Sequence, residues 1–212
     1  AVATDGDCAT ITQEGTYVIT GSLSNGKIVV DADDSAKIQL VLAGVDINCE
    51  SSAAIYVKNA NKVFITLAEK SENVLSNSSD FVATDDNNID SVVFSKSDLS
   101  FNGNGSLTVN AAYGHGIVSK DDLVFTAGAY SITSADHGLQ GKNSIRIANG
   151  TFNIKCTEDG LHSENKDDSS KGFVYIIGGT LNISAGDDGI HSGTSLTVKD
   201  GKINISESCE GL

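Results

Sequence analysis

Acidic side chains recur in pairs directly before glycine in the C-terminal half of the chain. The glycines at positions 116, 138, 160, 189 and 211 are 22, 22, 29 and 22 residues apart. If equivalent residues stack, the acids form two columns, which are Asp136, Glu158 and Asp187 in one and Asp159, Asp188 and Glu210 in the other. Carboxylates about 5 Å apart repel by roughly 1 kcal/mol in water and by more in a protein. The columns therefore predict a bound cation, and their hard oxygen ligands favour Ca²⁺.

An Asp-Gly dipeptide also occurs in ordinary turns. There the Asp side chain hydrogen-bonds the backbone and the glycine adopts a positive φ. This explanation accounts for one acid in each repeat, whereas Glu158-Asp159 and Asp187-Asp188 supply two. A calcium site is the preferred interpretation of the six acids, and turn formation is the alternative.

Four further side chains occupy repeated outward positions. His162 and His191 are equivalent, each next to a serine, and Arg146 is equivalent to Tyr175. Neighbouring residues of a strand point to opposite faces, which argues against a Ser–His nucleophile, and two coinciding histidines are too few to predict zinc. We predict carbohydrate contacts at Arg146, Tyr175, His162 and His191, with an ordinary polar surface as the alternative.

Three lysines raise the question of catalysis. Lys142, Lys166 or Lys171 could act as the base of a lyase, which removes a proton beside a uronate carboxylate. Such a base needs a lowered pKa, and nothing in the sequence indicates one. We therefore predict surface charges at these positions and no catalytic residue.

The four cysteines show no metal-binding spacing. Cys8, Cys49, Cys156 and Cys209 contain no C-x-x-C pair, so a zinc site is not predicted. Cys156 and Cys209 fall two repeats apart, about 10 Å by the spacing of strands, which is too far for a disulfide. A bridge between Cys8 and Cys49 stays open.

Apolar residues alternate with polar ones in the segments that must position these side chains. Period-2 alternation, typical of strands, occurs at Leu123 and Phe125 and again at Tyr130 and Ile132. A repeat of 22 residues with several short strands leaves no room for the helical crossover of an α/β sheet. We predict an all-β fold, a single-stranded right-handed parallel β-helix (β-solenoid) with rungs of about 22 residues.

The repeats also predict the domain organisation. Residues 1–212 form one domain, and the polar segment 165–171 is a loop insertion that lengthens one repeat by seven residues. The polar segment 69–90 is predicted to be one long excursion. Because the chain stops at the opening of a further repeat, we expect it to be truncated at its C-terminus.

Composition excludes several classes of partner. The chain has 28 acidic and 14 basic residues and a net charge of −14. Nucleic acids and anionic lipids would be repelled, because their binding depends on Lys and Arg. No segment reaches the ~20 apolar residues of a membrane-spanning helix, so membrane insertion is not expected.

Several segments carry a family resemblance. They are Ser119-Lys120-Asp121-Asp122-Leu123, Ala135-Asp136-His137-Gly138-Leu139-Gln140, Asp159-Gly160-Leu161-His162-Ser163 and Gly186-Asp187-Asp188-Gly189-Ile190-His191, with Gly15-Thr16-Tyr17-Val18-Ile19-Thr20-Gly21 and Ala54-Ile55-Tyr56-Val57-Lys58 in the N-terminal half. Together they resemble a bacterial, clostridial-type carbohydrate-binding parallel β-helix domain family, similar in fold to polysaccharide lyases of family nine. The resemblance covers most of the chain.

This resemblance implies a secreted or surface-displayed protein that binds cellulose and pectic polygalacturonate without cleaving them. It also implies a calcium-containing scaffold, with the metal role carried by the acidic pairs. The chain departs from the family pattern at Asp136-His137-Gly138-Leu139-Gln140, where relatives commonly have Asp-Asp-Gly-Ile-Lys. This repeat therefore lacks one carboxylate and one lysine.

Three functions follow from these observations. The preferred one is a non-catalytic, calcium-binding carbohydrate-binding module for plant cell-wall polysaccharides, expected to be a monomer that is secreted or on the bacterial cell surface. One alternative is a calcium-dependent pectate-type polysaccharide lyase. The other is a structural adhesin stalk.

Overall fold

The computed structural model describes residues 1–83 and 85–212 and contains 23 β-strands in these ranges. The first eight are β1 (Val2–Asp5), β2 (Cys8–Ile11), β3 (Gly15–Leu23), β4 (Lys27–Asp31), β5 (Lys37–Asn48), β6 (Ile55–Asn59), β7 (Lys62–Leu67) and β8 (Glu72–Asn77). The next eight are β9 (Ser91–Ser95), β10 (Asp98–Gly103), β11 (Ser106–Ala111), β12 (His115–Ser119), β13 (Asp122–Phe125), β14 (Ala129–Ser134), β15 (Leu139–Gly141) and β16 (Ser144–Ile147). The last seven are β17 (Thr151–Cys156), β18 (Leu161–Ser163), β19 (Phe173–Ile176), β20 (Thr180–Ser184), β21 (Ile190–Ser192), β22 (Ser195–Val198) and β23 (Lys202–Glu207).

These strands form two sheets. The 9-stranded sheet has the order β1-β2-β4-β6-β9-β12-β15-β18-β21. The 14-stranded sheet runs β22-β19-β16-β13-β10-β7-β5-β8-β11-β14-β17-β20-β23, with β3 also paired to β5. Pairing is parallel except between β1 and β2, which are antiparallel. Within the described ranges, no helix is both long enough and apolar enough to cross a membrane.

The all-β character agrees with the sequence, but the prediction of a single-stranded right-handed parallel β-helix (β-solenoid) is wrong. The strands belong to two large sheets rather than to closed rungs of about 22 residues. The 12-residue strand β5 explains the difference, because it pairs with β7 along its first half and with β8 along its second half. This long strand joins two ladders of strands into one sheet, which the periodicity alone did not reveal.

The repeat nevertheless determines which residues are paired. Asn153 of β17 lies opposite Ser131 of β14, 22 residues earlier, and opposite Asn182 of β20, 29 residues later. The longer interval contains residues 164–172, which form no strand and connect β18 to β19. The number of residues between paired positions therefore changes along the chain, but equivalent positions of successive repeats remain paired.

The two sheets share one hydrophobic core. Alternate residues of β14 and β17 are buried, which directs Tyr130, Ile132, Phe152 and Ile154 inward. Tyr130 and Phe152 stack with ring centroids 4.8 Å apart, and Phe125 meets both rings edge-on. These aromatic rings thus pack together within an otherwise aliphatic core.

A smaller apolar cluster lies outside this core, around Tyr56 and Phe94 of the 9-stranded sheet. Ile89 packs against it, and Tyr56 Oη donates a 2.6 Å hydrogen bond to Asp85 Oδ2. The prediction of one long excursion over 69–90 is wrong in part, because β8 lies within it and pairs with β5 and β11. The described residues after β8 instead cover part of the 9-stranded sheet.

Candidate functional site

The acidic pairs lie just before short strands of the 9-stranded sheet. Glu158-Asp159 precedes β18, and Asp187-Asp188 precedes β21. The glycine that follows each pair sits against the next repeat: a Cβ on Gly160 would lie 2.5 Å from the Gly189 carbonyl oxygen. Neither glycine has a positive φ. Close stacking, rather than a turn conformation, therefore requires glycine here, and the turn alternative loses its main support.

Three of the six predicted metal ligands form one cluster. Carboxylate oxygens of Asp159, Asp187 and Asp188 all lie within 4.8 Å of one another. Asp159 is buried, Asp188 is half-buried and Asp187 is exposed, so the cluster opens to solvent on one side. Asp159 Oδ1 also accepts a 2.9 Å hydrogen bond from the backbone N–H of Asp188. This set can offer oxygen ligands to a cation such as Ca²⁺.

The other three predicted ligands lie outside that cluster. Glu158 Oε2 is 3.2 Å from His137 Nε2 and so faces a histidine. Asp136 is half-buried, and its carbonyl oxygen accepts a 3.2 Å hydrogen bond from Ser134 Oγ. Glu210 is exposed, with its carbonyl oxygen 3.0 Å from the Gly189 nitrogen. The two columns inferred from the sequence are thus only partly brought together.

All four histidines of the chain stack in a single column. The ring centroids are 5.0 Å apart between His115 and His137, 4.2 Å between His137 and His162, and 4.7 Å between His162 and His191. This column was not predicted from the sequence. His115 and His137 stand one residue before the repeated glycine, whereas His162 and His191 stand two residues after it. A signal was present, because every histidine lies at one of these two positions.

Carboxylates orient two of these rings. His162 Nδ1 lies 2.6 Å from Asp159 Oδ2, and His191 Nδ1 lies 3.3 Å from Asp188 Oδ2. His137 Nδ1 instead accepts a 3.1 Å hydrogen bond from the backbone N–H of Asp159. Each Asp–His pair resembles the arrangement that fixes an imidazole tautomer in catalytic and metal sites.

Burial and charge shift the ionisation of this region. Burial, followed by the charges of His162 and His115, lowers the pKa of His137. Burial alone would raise the pKa of Asp159, but hydrogen bonds with His162 and the Asp188 backbone hold it below its usual value. Burial and the neighbouring Asp136 carboxylate raise the pKa of Glu158. At neutral pH the cluster therefore pairs ionised Asp159 with an uncharged His137 imidazole.

The predicted carbohydrate-contacting residues are divided between the two sheets. Arg146 and Tyr175 are paired on β16 and β19 of the 14-stranded sheet, whereas His162 and His191 belong to the 9-stranded sheet. The Arg146 guanidinium lies over the Phe173 ring at 5.2 Å, and Nη2 is 3.3 Å from Asp122 Oδ2. The four residues therefore form two separate pairs, one on each sheet.

A groove of about 410 Å³ lies beside the outward column that contains Gln140 and His162. Its lining residues are Ser119, Lys120, Gln140, Lys142, Glu164, Lys166 and Asp167. Among the described residues, Gln140 Oε1 is buried without a hydrogen-bond partner. The groove thus offers ammonium donors and carboxylate acceptors, and the Gln140 side chain forms part of its wall. This groove was not predicted from the sequence, because the connection after β18 forms part of its wall.

The lysines considered for catalysis are each close to a carboxylate. Lys142 Nζ is 2.9 Å from Asp167, Lys166 Nζ is 3.3 Å from Glu164, and Lys171 Nζ is 3.8 Å from Asp168. Each amine is thus already engaged in an ion pair in the folded chain. These contacts oppose a role as general base.

The thiols are unbridged. Cys8, Cys49, Cys156 and Cys209 are all free, so no disulfide joins Cys8 to Cys49. Cys156 is buried and Cys209 is exposed. The chain is therefore not cross-linked by a disulfide among these four cysteines.

Comparison with known proteins places this geometry in context. Residues 5–211 match the family model described as carbohydrate-binding domain-containing protein. A curated protein of that description from Acetivibrio thermocellus is 39% identical over 124 residues, covering 58% of this chain and 43% of the relative. The match thus spans less than half of that relative's length.

A solved structure is similar over almost the whole chain. The polysaccharide lyase-like protein from C. thermocellum, described as a gadolinium derivative, has a TM-score of 0.87 and 33% sequence identity. The alignment covers 97% of this chain and 88% of that one. With the family model matched over nearly every residue, the chain belongs to the carbohydrate-binding domain-containing protein family.

Proposed function

We propose that this chain is a non-catalytic, calcium-binding module that attaches a secreted or surface-displayed bacterial protein to plant cell-wall polysaccharide. The observation that carries the proposal is the open groove beside Gln140, in a chain whose family is carbohydrate-binding. An open groove accepts a polymer along its length, whereas an enclosed pocket accepts a chain end. Repeated polar positions on the neighbouring strands can add further weak contacts, which multiply along a polymer.

The chemistry of the groove suits an acidic sugar. Lys142 is paired with Asp167, whose side chain is 79% exposed. Exposed ion pairs contribute little, about 0–1 kcal/mol, so a uronate carboxylate can replace Asp167 as the partner of Lys142. Gln140 Oε1 is buried without a donor, so a sugar hydroxyl would hydrogen-bond it only after the side chain turned toward the groove. Polygalacturonate is therefore the polymer we assign to this groove.

A second surface suits a neutral polysaccharide such as cellulose. Tyr175 is half-buried on β19, and Lys199 Nζ lies 5.4 Å from the centre of its ring. Arg146 and Phe173 are adjacent. Planar groups of this kind present an apolar face and polar edges, which match the apolar faces and hydroxyl rims of sugar rings. Contacts here do not require charge on the polymer.

The proposed calcium ligands are Asp159, Asp187 and Asp188. Three carboxylates so close together repel one another unless a cation lies among them. Ca²⁺ accepts six to eight oxygen ligands in flexible geometry, so backbone carbonyls, water or a uronate would complete the shell. The similar C. thermocellum protein is described as a gadolinium derivative, and gadolinium is likewise a hard cation that takes oxygen ligands. When bound, Ca²⁺ would offset two of the three negative charges of this cluster.

A pectate-type lyase is the second candidate, because the similar solved structure is described as polysaccharide lyase-like. Such an enzyme needs an unprotonated base beside the uronate. The amines of Lys142, Lys166 and Lys171 are instead each engaged by a neighbouring carboxylate. We therefore propose binding without cleavage.

Co-sedimentation separates these functions. The chain is mixed with insoluble cellulose or with covalently cross-linked polygalacturonate, with and without a calcium chelator, and the supernatant is monitored for the ultraviolet absorption of unsaturated uronides. The proposal expects binding to both polymers, chelator-sensitive binding to polygalacturonate, and no unsaturated product. Accumulation of unsaturated uronides would establish the lyase. A chain that bound neither polymer would contradict the proposed function.

A further inference from the structure

A column of polar side chains runs along the outer face of the 14-stranded sheet. Ser131, Asn153 and Asn182 occupy paired positions on β14, β17 and β20. Asn204 continues the column on β23. Buried apolar residues alternate with these positions along each strand, so the polar side chains point away from the core. None of the surfaces described above includes this column.

A second polar column runs parallel to the first, two residues further along each strand. It contains Thr133, Lys155 and Ser184, which are likewise paired. Residues two apart in a strand are separated by about 6.6 Å. Between the two columns lies an open trough of about 260 Å³, which extends to Ser206 on β23. We call this space the amide trough.

Asparagine is an unfavourable choice for these strand positions if they serve only the fold. It is depleted in β-strands, where threonine and other β-branched residues are preferred. The two central amides form one contact with each other, a 3.0 Å hydrogen bond from Asn182 Nδ2 to Asn153 Oδ1. This bond leaves the Asn153 amide hydrogens and a lone pair of the Asn182 oxygen available to a ligand. Positions that depart from local preference in this way are expected where a surface has a function.

We propose that the amide trough binds a neutral polysaccharide in an extended conformation, such as a β-1,4-linked glucan, which lies across the strands. Neighbouring strands are about 4.7–4.9 Å apart, close to the length of one sugar in such a chain. Successive sugars therefore meet successive strands. Hydroxyl groups project from both edges of an extended chain, so they face the polar column on either side of the trough.

The side chains of the trough suit hydroxyl groups rather than carboxylates. A side-chain amide both donates and accepts hydrogen bonds, as a pair of neighbouring sugar hydroxyls does. Among the described residues that line the trough, Lys155 is the one with a charge. The groove beside Gln140 has three lysines instead. A polyuronate therefore finds more partners in that groove, and a neutral chain loses nothing in the trough.

Binding in the trough depends on the number of contacts. Each contact is weak, because a sugar hydroxyl exchanges a hydrogen bond with water for one with the protein. The trough extends over β14, β17 and β20 and reaches β23, so several sugars contact it at once. Affinity should therefore rise with chain length up to about four sugars, one for each strand, and change little beyond that. The inference goes beyond the proposed function, since it needs neither calcium nor the groove beside Gln140.

The test measures the binding of cello-oligosaccharides of increasing length to the full chain by isothermal titration calorimetry, with a calcium chelator present. We expect cellotetraose and cellohexaose to bind more tightly than cellobiose. Asn153→Ala and Asn182→Ala should each weaken binding of cellohexaose by about 3- to 10-fold. Asn104→Ala is the matched control, because Asn104 lies between β10 and β11, outside the trough, and it should bind as the unmodified chain does. Tyr175→Ala, which alters the surface proposed above for cellulose, should keep the dependence on chain length.

Two results would overturn the amide trough. One is an unmodified chain that binds no cello-oligosaccharide. Binding of polygalacturonate in calcium is measured separately, so this result would leave the groove beside Gln140 in place. The other is equal binding by Asn153→Ala, Asn182→Ala and Asn104→Ala, and a loss in Tyr175→Ala alone would then place the sugar at Tyr175. Because Asn153 is exposed and Asn182 is half-buried at the surface, circular dichroism is expected to show that both variants fold.

Discussion

Asp159 Oδ1 accepts the backbone N–H of Asp188 at 2.9 Å, which ties one acidic pair to the next. This hydrogen bond holds the buried carboxylate of Asp159 against the half-buried one of Asp188, with Asp187 beside them. Folding thus assembles a concentration of negative charge that the unfolded chain lacks. A cation that binds only this assembly stabilises the folded state.

Calcium should therefore raise the melting temperature. At a free concentration one hundred times its dissociation constant, the stabilisation is about 2.7 kcal/mol, or roughly 5–10 °C for a chain of this length. Asp188→Ala should remove most of the increase measured by calorimetry. Asp136→Ala is the matched control, because Asp136 lies outside the cluster, and it should retain the increase. Equal melting temperatures in calcium and in chelator would show that the acids hold no calcium.

The stacked glycines give a test that is independent of any ligand. Alanine at Gly160 would place a Cβ 2.5 Å from both the Gly189 carbonyl oxygen and Ile183 Cγ2. We expect Gly160→Ala to lower the free energy of unfolding by about 1–3 kcal/mol in urea titrations. Gly211→Ala is the control, since Gly211 is the equivalent position with nothing within 4 Å of its added Cβ. Equal stability of the two variants would contradict the close stacking.

Thiol reactivity reports on burial near the acidic cluster. Burial raises the pKa of the Cys156 thiol to about 11, so little thiolate forms at neutral pH. Cys209 is exposed. A thiol reagent should modify Cys209 rapidly in the folded protein and Cys156 only after unfolding, as followed by mass spectrometry of peptides. Rapid modification of Cys156 in the folded protein would contradict this packing.

Local sequence patterns predicted the strands, because buried and exposed residues alternate along each strand in the same way as apolar and polar residues. Tyr130 and Ile132 point inward for this reason, and the repeat correctly pairs Asn153 with Asn182. The arrangement of the sheets was not predictable in the same way. It depends on β5 being long enough to pair with two successive strands, and β5 lies in the N-terminal half of the chain, outside the 22-residue repeats.

The candidate site was predicted in part for a similar reason. Periodicity identified Asp159 and Asp188 as neighbours, and they are. Periodicity assigned His137 and His162 to different positions in the repeat. Their side chains nevertheless approach each other, and the two rings stack with their centroids 4.2 Å apart. Periodicity does not show in which direction the side chains at different repeat positions point. It also does not show that the 164–172 connection forms part of the groove, because both features depend on the three-dimensional arrangement of the chain.

Native electrophoresis in gels that contain polygalacturonate tests the binding groove most directly. With calcium present, we predict that the polymer retards the chain, that Lys142→Ala loses most of the retardation, and that Lys155→Ala keeps it. Lys155 is an exposed lysine on β17 of the 14-stranded sheet. Each variant loses one lysine, so the two variants carry the same net charge. Retardation that is equal in both variants, or absent from the unmodified chain, would contradict polysaccharide binding at the groove beside Gln140.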